Sequence, residues 1–262
     1  MADWTEDLAL ALALADDADA VTSRRFGAVD LAVETKPDLT PVSDADRAVE
    51  AALRARLAQE RPGDAVVGEE YGEQGSGARR WIIDPIDGTK NFVRGMPVWG
   101  TLLGLEVDGR IVVGVVSAPA LHRRWWAARG SGAWTKQQGQ GIRRCNVSRV
   151  GALDDAFLSY SSLSGWEEQQ RLTSLLGLAR QVWRTRAFGD FWSHLLVAEG
   201  AVDVSCEPEV SLWDLAALQP IVEEAGGRFS DLSGVARADG GSVVCTNGLL
   251  HEQVLRALAP RS

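Results

Sequence analysis

Three acidic clusters combine residue types and spacings that can do chemistry: Gly68-Glu69-Glu70, Asp84-Pro85-Ile86-Asp87-Gly88-Thr89 and Trp213-Asp214. The first two follow the apolar runs Ala65-Val66-Val67 and Trp81-Ile82-Ile83. A strand delivers its terminal side chains to a sheet edge, and Pro85 with Gly88 calls for a tight turn, so Asp84 and Asp87 are expected to converge. Converging carboxylates repel unless a cation lies between them, and oxygen donors without His or Cys select a hard ion such as Mg²⁺. Asp-Pro or Asp-Gly alone is ordinary turn chemistry. The whole hexapeptide after an apolar strand, with two glutamates upstream, points to a metal.

Gly88-Thr89-Lys90-Asn91 is expected to open a helical turn, whose unpaired backbone N–H groups attract an anion beside the proposed metals. Metal and helix start together make a phosphate seat. The Thr89 hydroxyl is placed to hold a water, with Asp46 as its candidate partner, although an acid in a first helical turn also serves as a dipole complement. Asp214 opens an expected helix at 213–225, where a carboxylate is as much cap as ligand, and Trp213 reads as core before substrate contact. Other phosphate chemistries fail on sequence. None of the three lysines, Lys36, Lys90 and Lys136, follows a glycine, so there is no phosphate-binding Gly-x₄-Gly-Lys loop. The Gly-x-Gly triplets lack the third glycine of a dinucleotide site, and Asp44-Ala45-Asp46-Arg47-Ala48 lacks the last residue of an aspartyl-phosphate motif. His122, His194 and His251 are scattered and read as surface or packing residues.

The positioning elements follow from periodicity. Residues 4–26 read as an amphipathic helix ended by Gly27, and a second helix runs from the cap Ser43 to Arg61-Pro62-Gly63. Strands are expected at 65–67 and 81–83, a hairpin at Asp108-Gly109, and a strand and turn over 125–134. Beyond residue 150 come helices at 166–179, 190–199, 213–225 and 248–258, with strands at 201–206 and 242–246. This gives an α/β protein, an α+β half over 1–140 followed by an α/β half over 141–262, with the Gly/Gln-rich stretch 136–141 as candidate boundary.

The 262 residues carry 36 acidic and 27 basic side chains, a formal charge of −9, which argues against a nucleic-acid or anionic-membrane partner. Hydrophobic residues make up 45% and charged ones 24%, a globular balance. Cys145, Cys206 and Cys245 give neither a disulfide framework nor a zinc pair, so a reducing compartment fits. The run Leu8–Ala15 follows Asp3, Glu6 and Asp7 where a signal peptide needs bases, and no apolar stretch has the length of a membrane span. A cytoplasmic protein is expected.

The three clusters, with Trp81-Ile82-Ile83 before the hexapeptide, Lys90-Asn91-Phe92 after it, Asp46 and Glu224-Ala225-Gly226-Gly227, resemble the inositol monophosphatase family of Mg²⁺-dependent phosphatases. The likeness spans about residues 8 to 258. Within the family it is greatest to histidinol-phosphate phosphatases of the actinobacterial type, through Lys36-Pro37-Asp38-Leu39-Thr40-Pro41-Val42, the stretch 117–126 and Ser161-Ser162-Leu163-Ser164-Gly165-Trp166. The resemblance implies a layered αβαβα fold, a homodimer, and two or three Mg²⁺ held by Glu69, Asp84, the Ile86 carbonyl, Asp87 and Asp214. It puts Gly88 and Thr89 at the phosphate, and it has Thr89, backed by Asp46, position the attacking water near Glu69.

One departure bears on substrate. In Arg186-Ala187-Phe188-Gly189-Asp190 an acid stands where inositol-type members carry a small or hydroxyl residue. A carboxylate beside a phosphate pocket repels the phosphate and makes better sense facing a cationic part of the substrate. L-Histidinol phosphate supplies an ammonium and an imidazole. Glu207 stands where relatives contact the leaving alcohol, and Arg186 is a candidate for binding phosphate or orienting these acids; Asp190 as a plain helix cap is the competing reading. The expected activity is hydrolysis of L-histidinol phosphate in histidine biosynthesis. Two readings compete with it: phosphatase action on inositol 1-phosphate or another small polyol phosphate, and non-catalytic binding to transcription machinery.

Overall fold

Helix Thr5–Arg25 lays Leu10, Ala11, Leu14, Ala15 and Ala18 against a large sheet, beside helix Asp44–Glu60 with Val49, Leu53 and Leu57. The computed structural model describes residues 3–37 and 40–259. Asp38 and Leu39, from the Lys36–Val42 motif, lie outside the described residues. The large sheet has eight strands, in the order Arg143–Arg144, Ala133–Gln137, Arg123–Ala128, Arg110–Ala118, Gly100–Val107, Arg79–Asp87, Ala65–Gly68, Gly72–Gln74. Only Ala65–Gly68 and Arg79–Asp87 pair in parallel within it. Side chains alternate between its faces: Trp81, Ile83, Leu103 and Leu105 meet the two helices, while Ile82, Leu102 and Val116 point to the opposite core.

That opposite core is filled by helices Asp190–Ala198, Leu212–Ala216 and Leu218–Glu224. Beyond them lies a sheet of five strands, ordered Arg184–Arg186, Phe157–Tyr160, Val204–Glu207, Val243–Thr246, Arg228–Ser230. Its far face is covered by helices Leu172–Ala179 and His251–Leu258. The layers run helix, sheet, helix, sheet, helix, the αβαβα order expected from the family resemblance.

Several boundaries differ from the sequence reading. The helix expected at 166–179 is two, Leu163–Glu168 and Leu172–Ala179, with Gln170 between them at a left-handed φ of 56°. The helix expected at 213–225 breaks after Ala216, where Pro220 has no N–H to give the Ala216 carbonyl. Short strands Arg184–Arg186 and Arg228–Ser230 carry no period-2 signal long enough to read. The stretch 136–141 falls at a hairpin turn of the large sheet, whose edge strand Arg143–Arg144 lies past it.

Candidate active site

Asp84 and Asp87 sit at the end of strand Arg79–Asp87, three residues apart, a spacing that places side chains on opposite faces of a regular strand. Here Asp84 pairs with Leu102 and Asp87 with Gly100, so three steps on one strand match two on the other. This bulge, in place of the tight turn expected around Pro85, turns both carboxylates to one side. Thr101 Oγ1 donates to the Pro85 carbonyl at 2.8 Å and secures the bulged segment. Gly88 follows at φ 82°, and a Cβ there would stand 2.9 Å from the Val98 carbonyl, so glycine alone fits at the start of the single-turn helix Thr89–Val93.

Asp46 serves two functions with its two oxygens. Oδ2 accepts from the Ser43 backbone N–H at 2.8 Å and closes a capping box at the start of helix Asp44–Glu60. Oδ1 lies 3.2 Å from the Thr89 hydroxyl, which also lies 3.0 Å from the Ile86 carbonyl. Burial raises the Asp46 carboxyl above the usual range, opposed by the Ser43 hydrogen bonds. Glu69 is placed from beneath by a residue that no local pattern marks. Glu50, fully buried, accepts from the Glu70 N–H at 2.7 Å and the Tyr71 N–H at 3.2 Å. A Cβ on Gly68 would stand 2.0 Å from its carboxylate, so the glycine is what lets Glu50 reach this loop.

Asp214 completes the cluster from helix Leu212–Ala216. Its Oδ2 accepts from the Ser211 N–H at 2.7 Å, a capping box like that of Asp46. Asp84, Asp87 and Asp214 each present an oxygen within 4.8 Å of the others. Burial pushes Asp84 well above the usual carboxylate range, reinforced by the charges of Glu69, Asp87 and Asp214. Burial together with Asp190 and Asp214 does the same to Asp87, and burial raises Asp214 to about 7. Asp84 Oδ1 is buried without a hydrogen-bond partner. An orphaned carboxylate oxygen among crowded carboxylates, with no nitrogen or sulfur donor in the set, fits a hard cation. Lys36 places its ammonium 2.7 Å from Glu69 and 2.6 Å from Glu70, another contact not foreseen from sequence. Its presence as one of only three lysines among 27 basic residues was the available signal.

Glu69, Asp84, Ile86, Asp87, Gly88, Thr89, Asp190 and Asp214 line one cleft of about 370 Å³. Trp213 also lines it, half-buried, so it is more than core. Asp190 has a left-handed φ of 50°, a region Asp tolerates better than most residues. It makes no cap of its own helix: Asn91 Nδ2 donates to its Oδ2 at 2.9 Å, and the Phe191 N–H goes instead to Asp87 at 2.6 Å. Burial, then Glu207, raises Asp190 to about 6. Glu207 lies deeper, in an adjoining cavity, paired to His194 at 2.9 Å. Burial opposes an imidazolium at His194, but Cys245 and Glu207 outweigh it and raise the ring to about 10. Arg186 is not brought to this cleft. It is exposed on the edge strand Arg184–Arg186, donating to the Thr185 carbonyl at 2.8 Å.

The inositol monophosphatase family model matches residues 3–261. The histidinol-phosphatase of Mycobacterium tuberculosis is 60% identical over 254 residues, covering 97% of this chain and 98% of that protein. The histidinol-phosphatase of Streptomyces coelicolor is 56% identical over 265 residues and covers both chains fully, at 100% each. Among solved structures, the extragenic suppressor protein suhB of Bartonella henselae superposes with a TM-score of 0.89 at 30% identity, over 98% of this chain and 100% of that one.

Proposed function

The chain belongs to the inositol monophosphatase family, and from that premise we propose that it is a Mg²⁺-dependent phosphomonoesterase converting L-histidinol phosphate to L-histidinol and phosphate in histidine biosynthesis. The observation that carries the substrate choice is Asp190, an acid in the same cleft as the three-carboxylate cluster. Facing the phosphate it would be repulsive; facing an ammonium or imidazole it is complementary. Near full-length likeness to two histidinol-phosphatases supports the same choice.

In this reading Asp84, Asp87, Asp214, Glu69 and the Ile86 carbonyl hold two or three Mg²⁺. When bound, Mg²⁺ supplies charge neutralisation for phosphate and leaving alkoxide, and eases deprotonation of water. Asp46 Oδ1 accepts the Thr89 hydroxyl proton, which leaves the Thr89 oxygen free to accept from the attacking water and so orient it. Glu69 borders the same space. Gly88 and Thr89 receive the phosphate at the start of their helical turn, and Asp190 with Glu207 takes the cationic end of the alcohol. Displacement is in line, from water to phosphorus, without a phosphoenzyme.

The same reading makes the protein a cytoplasmic homodimer. Cys145, Cys206 and Cys245 are free and buried, and among the described residues no helix is long and apolar enough to cross a membrane. Trp183, 66% exposed beside the edge strand Arg184–Arg186, offers a surface for a second copy. Steady-state phosphate release from L-histidinol phosphate and from inositol 1-phosphate, with and without Mg²⁺, tests the assignment. A higher kcat/KM for L-histidinol phosphate and dependence on Mg²⁺ are expected; preference for the polyol, or activity indifferent to Mg²⁺, would overturn it.

A further inference from the structure

At the inner end of the cleft, a base stands beside two acids. Asp190 and His194 lie four residues apart on helix Asp190–Ala198, a spacing that puts them on one face. Both line a cavity of about 130 Å³ together with Glu207, Glu209, Asp87 and Asp214. His194 is 1% exposed and Glu207 9%, so water gives them little help. The polar contact between them is His194 Nε2 to Glu207 Oε1, at 2.9 Å. Glu207 ends strand Val204–Glu207, and Pro208 follows, so its backbone is fixed while its side chain has several torsions to settle.

Two carboxylates enclosed in one small cavity repel each other, and an unheld Glu207 would turn away from Asp190. A donor from the helix that carries Asp190 prevents this. It engages one oxygen of Glu207 and leaves the other for a ligand. We propose that His194 is a positioning residue for substrate selection: its Nε2–H holds the Glu207 carboxylate in the cavity, where that carboxylate and Asp190 receive the cationic end of the substrate alcohol. The inference rests on the proposed function for the nature of the alcohol. It adds a residue that contacts neither phosphate nor metal ligands and acts through Glu207.

The two amide replacements of histidine separate positioning from packing. The Gln amide nitrogen reaches the place of His Nε2, whereas the Asn amide reaches only that of Nδ1, and both are polar and smaller than imidazole. His194→Asn is expected to raise KM for L-histidinol phosphate about tenfold or more, the loss of a charge-assisted hydrogen bond, with kcat changing less. The loss on inositol 1-phosphate should be several-fold smaller, and His194→Gln should recover most of the affinity. Calorimetry of L-histidinol binding to the Mg²⁺-loaded protein should show the same order: wild type, then His194→Gln, then His194→Asn. Equal behaviour of the two variants, or equal losses on both substrates, would overturn the positioning role while leaving the phosphatase assignment in place. A wild-type preference for inositol 1-phosphate would remove the assignment and this inference with it.

Discussion

A Cβ added to Gly114 would stand 2.1 Å from the carbonyl oxygen of Ala217, so the large sheet and the segment just past helix Leu212–Ala216 are in backbone contact. Gly104, paired with Gly114 across the sheet, makes the matching approach to Ala216, whose Cβ would be 2.8 Å away. Two facing glycines thus form a shallow seat, and the depth of that seat sets how far Asp214 stands from Asp84 and Asp87 on the next strand. Gly114→Ala is expected to cost about 1–3 kcal/mol of stability, the usual range for overpacking. It should also raise the Mg²⁺ concentration needed for half-maximal activity, because the lifted helix carries Asp214 away. Thermal denaturation and a Mg²⁺ titration of phosphate release check both; an unchanged Mg²⁺ requirement would show that the seat does not govern Asp214.

The division of labour in Asp46 gives a second test. Asp46→Asn retains an oxygen for the Ser43 cap, and its amide then faces Thr89 with a donor where an acceptor is needed. The Thr89 hydroxyl is then left to donate to the Ile86 carbonyl, 3.0 Å away, and its oxygen accepts from the new amide instead of from the attacking water, whose orientation is lost. A fall in kcat of about 10²-fold or more is expected, the range for general acid–base assistance, with little change in unfolding midpoint. A large stability loss with modest loss of kcat would assign Asp46 to the cap alone.

Crowded carboxylates make a prediction about metal with a definite sign. Asp84 is buried, carries a partnerless oxygen and is surrounded by Glu69, Asp87 and Asp214. Asp84→Asn removes one of the mutually repelling charges, so the metal-free variant should unfold at a higher temperature than the metal-free wild type. Addition of Mg²⁺ should stabilise the wild type, by about 2.7 kcal/mol at a hundred times Kd, and the variant far less. Melting curves in EDTA and in Mg²⁺ give all four values. Equal stabilisation of the two proteins by Mg²⁺ would remove Asp84 from the metal site.

The site was legible in sequence wherever a local pattern carried it. Apolar strands ending in acids gave Asp84, Asp87 and Glu69, and helix-start chemistry gave Asp46, Thr89 and Asp214. What stayed hidden depends on contacts between distant segments. Nothing local distinguishes Gly104 and Gly114 from other strand glycines, or marks Glu50 as the support of the Glu69 loop, because each acquires its meaning from a partner many residues away. His194 reads as a surface or packing residue because its partner, Glu207, arrives from a different element, the strand Val204–Glu207 that follows its helix. The split of helix 213–225 has a local cause in Pro220, which the continuous apolar periodicity of the segment conceals.

Far from the cleft, His251 gives the chain an acid sensitivity whose direction follows from hydrogen bonding. Its Nε2 lies 2.9 Å from Ser230 Oγ and its Nδ1 3.1 Å from Thr246 Oγ1. The Ser230 hydroxyl proton goes to the Asp231 carbonyl at 2.7 Å, so Nε2 must be the donor to Ser230, and Nδ1 accepts from Thr246. Neutral imidazole satisfies this pocket. Burial, helped by nearby Arg228 and opposed by Glu252, lowers His251 to about 4, against about 6.5 in an unfolded chain. Between those values the unfolded state binds the extra proton and the folded state does not, so stability is lost as pH falls from 6.5 towards 4. Carboxylates elsewhere titrate over part of the same window, so the informative quantity is a difference. His251→Gln is expected to lower stability at pH 7.5 yet show a shallower decline than the wild type between pH 6.5 and 4.5, measured by urea denaturation at fixed Mg²⁺. Parallel declines in the two proteins would mean that His251 takes up its proton without unfolding the chain.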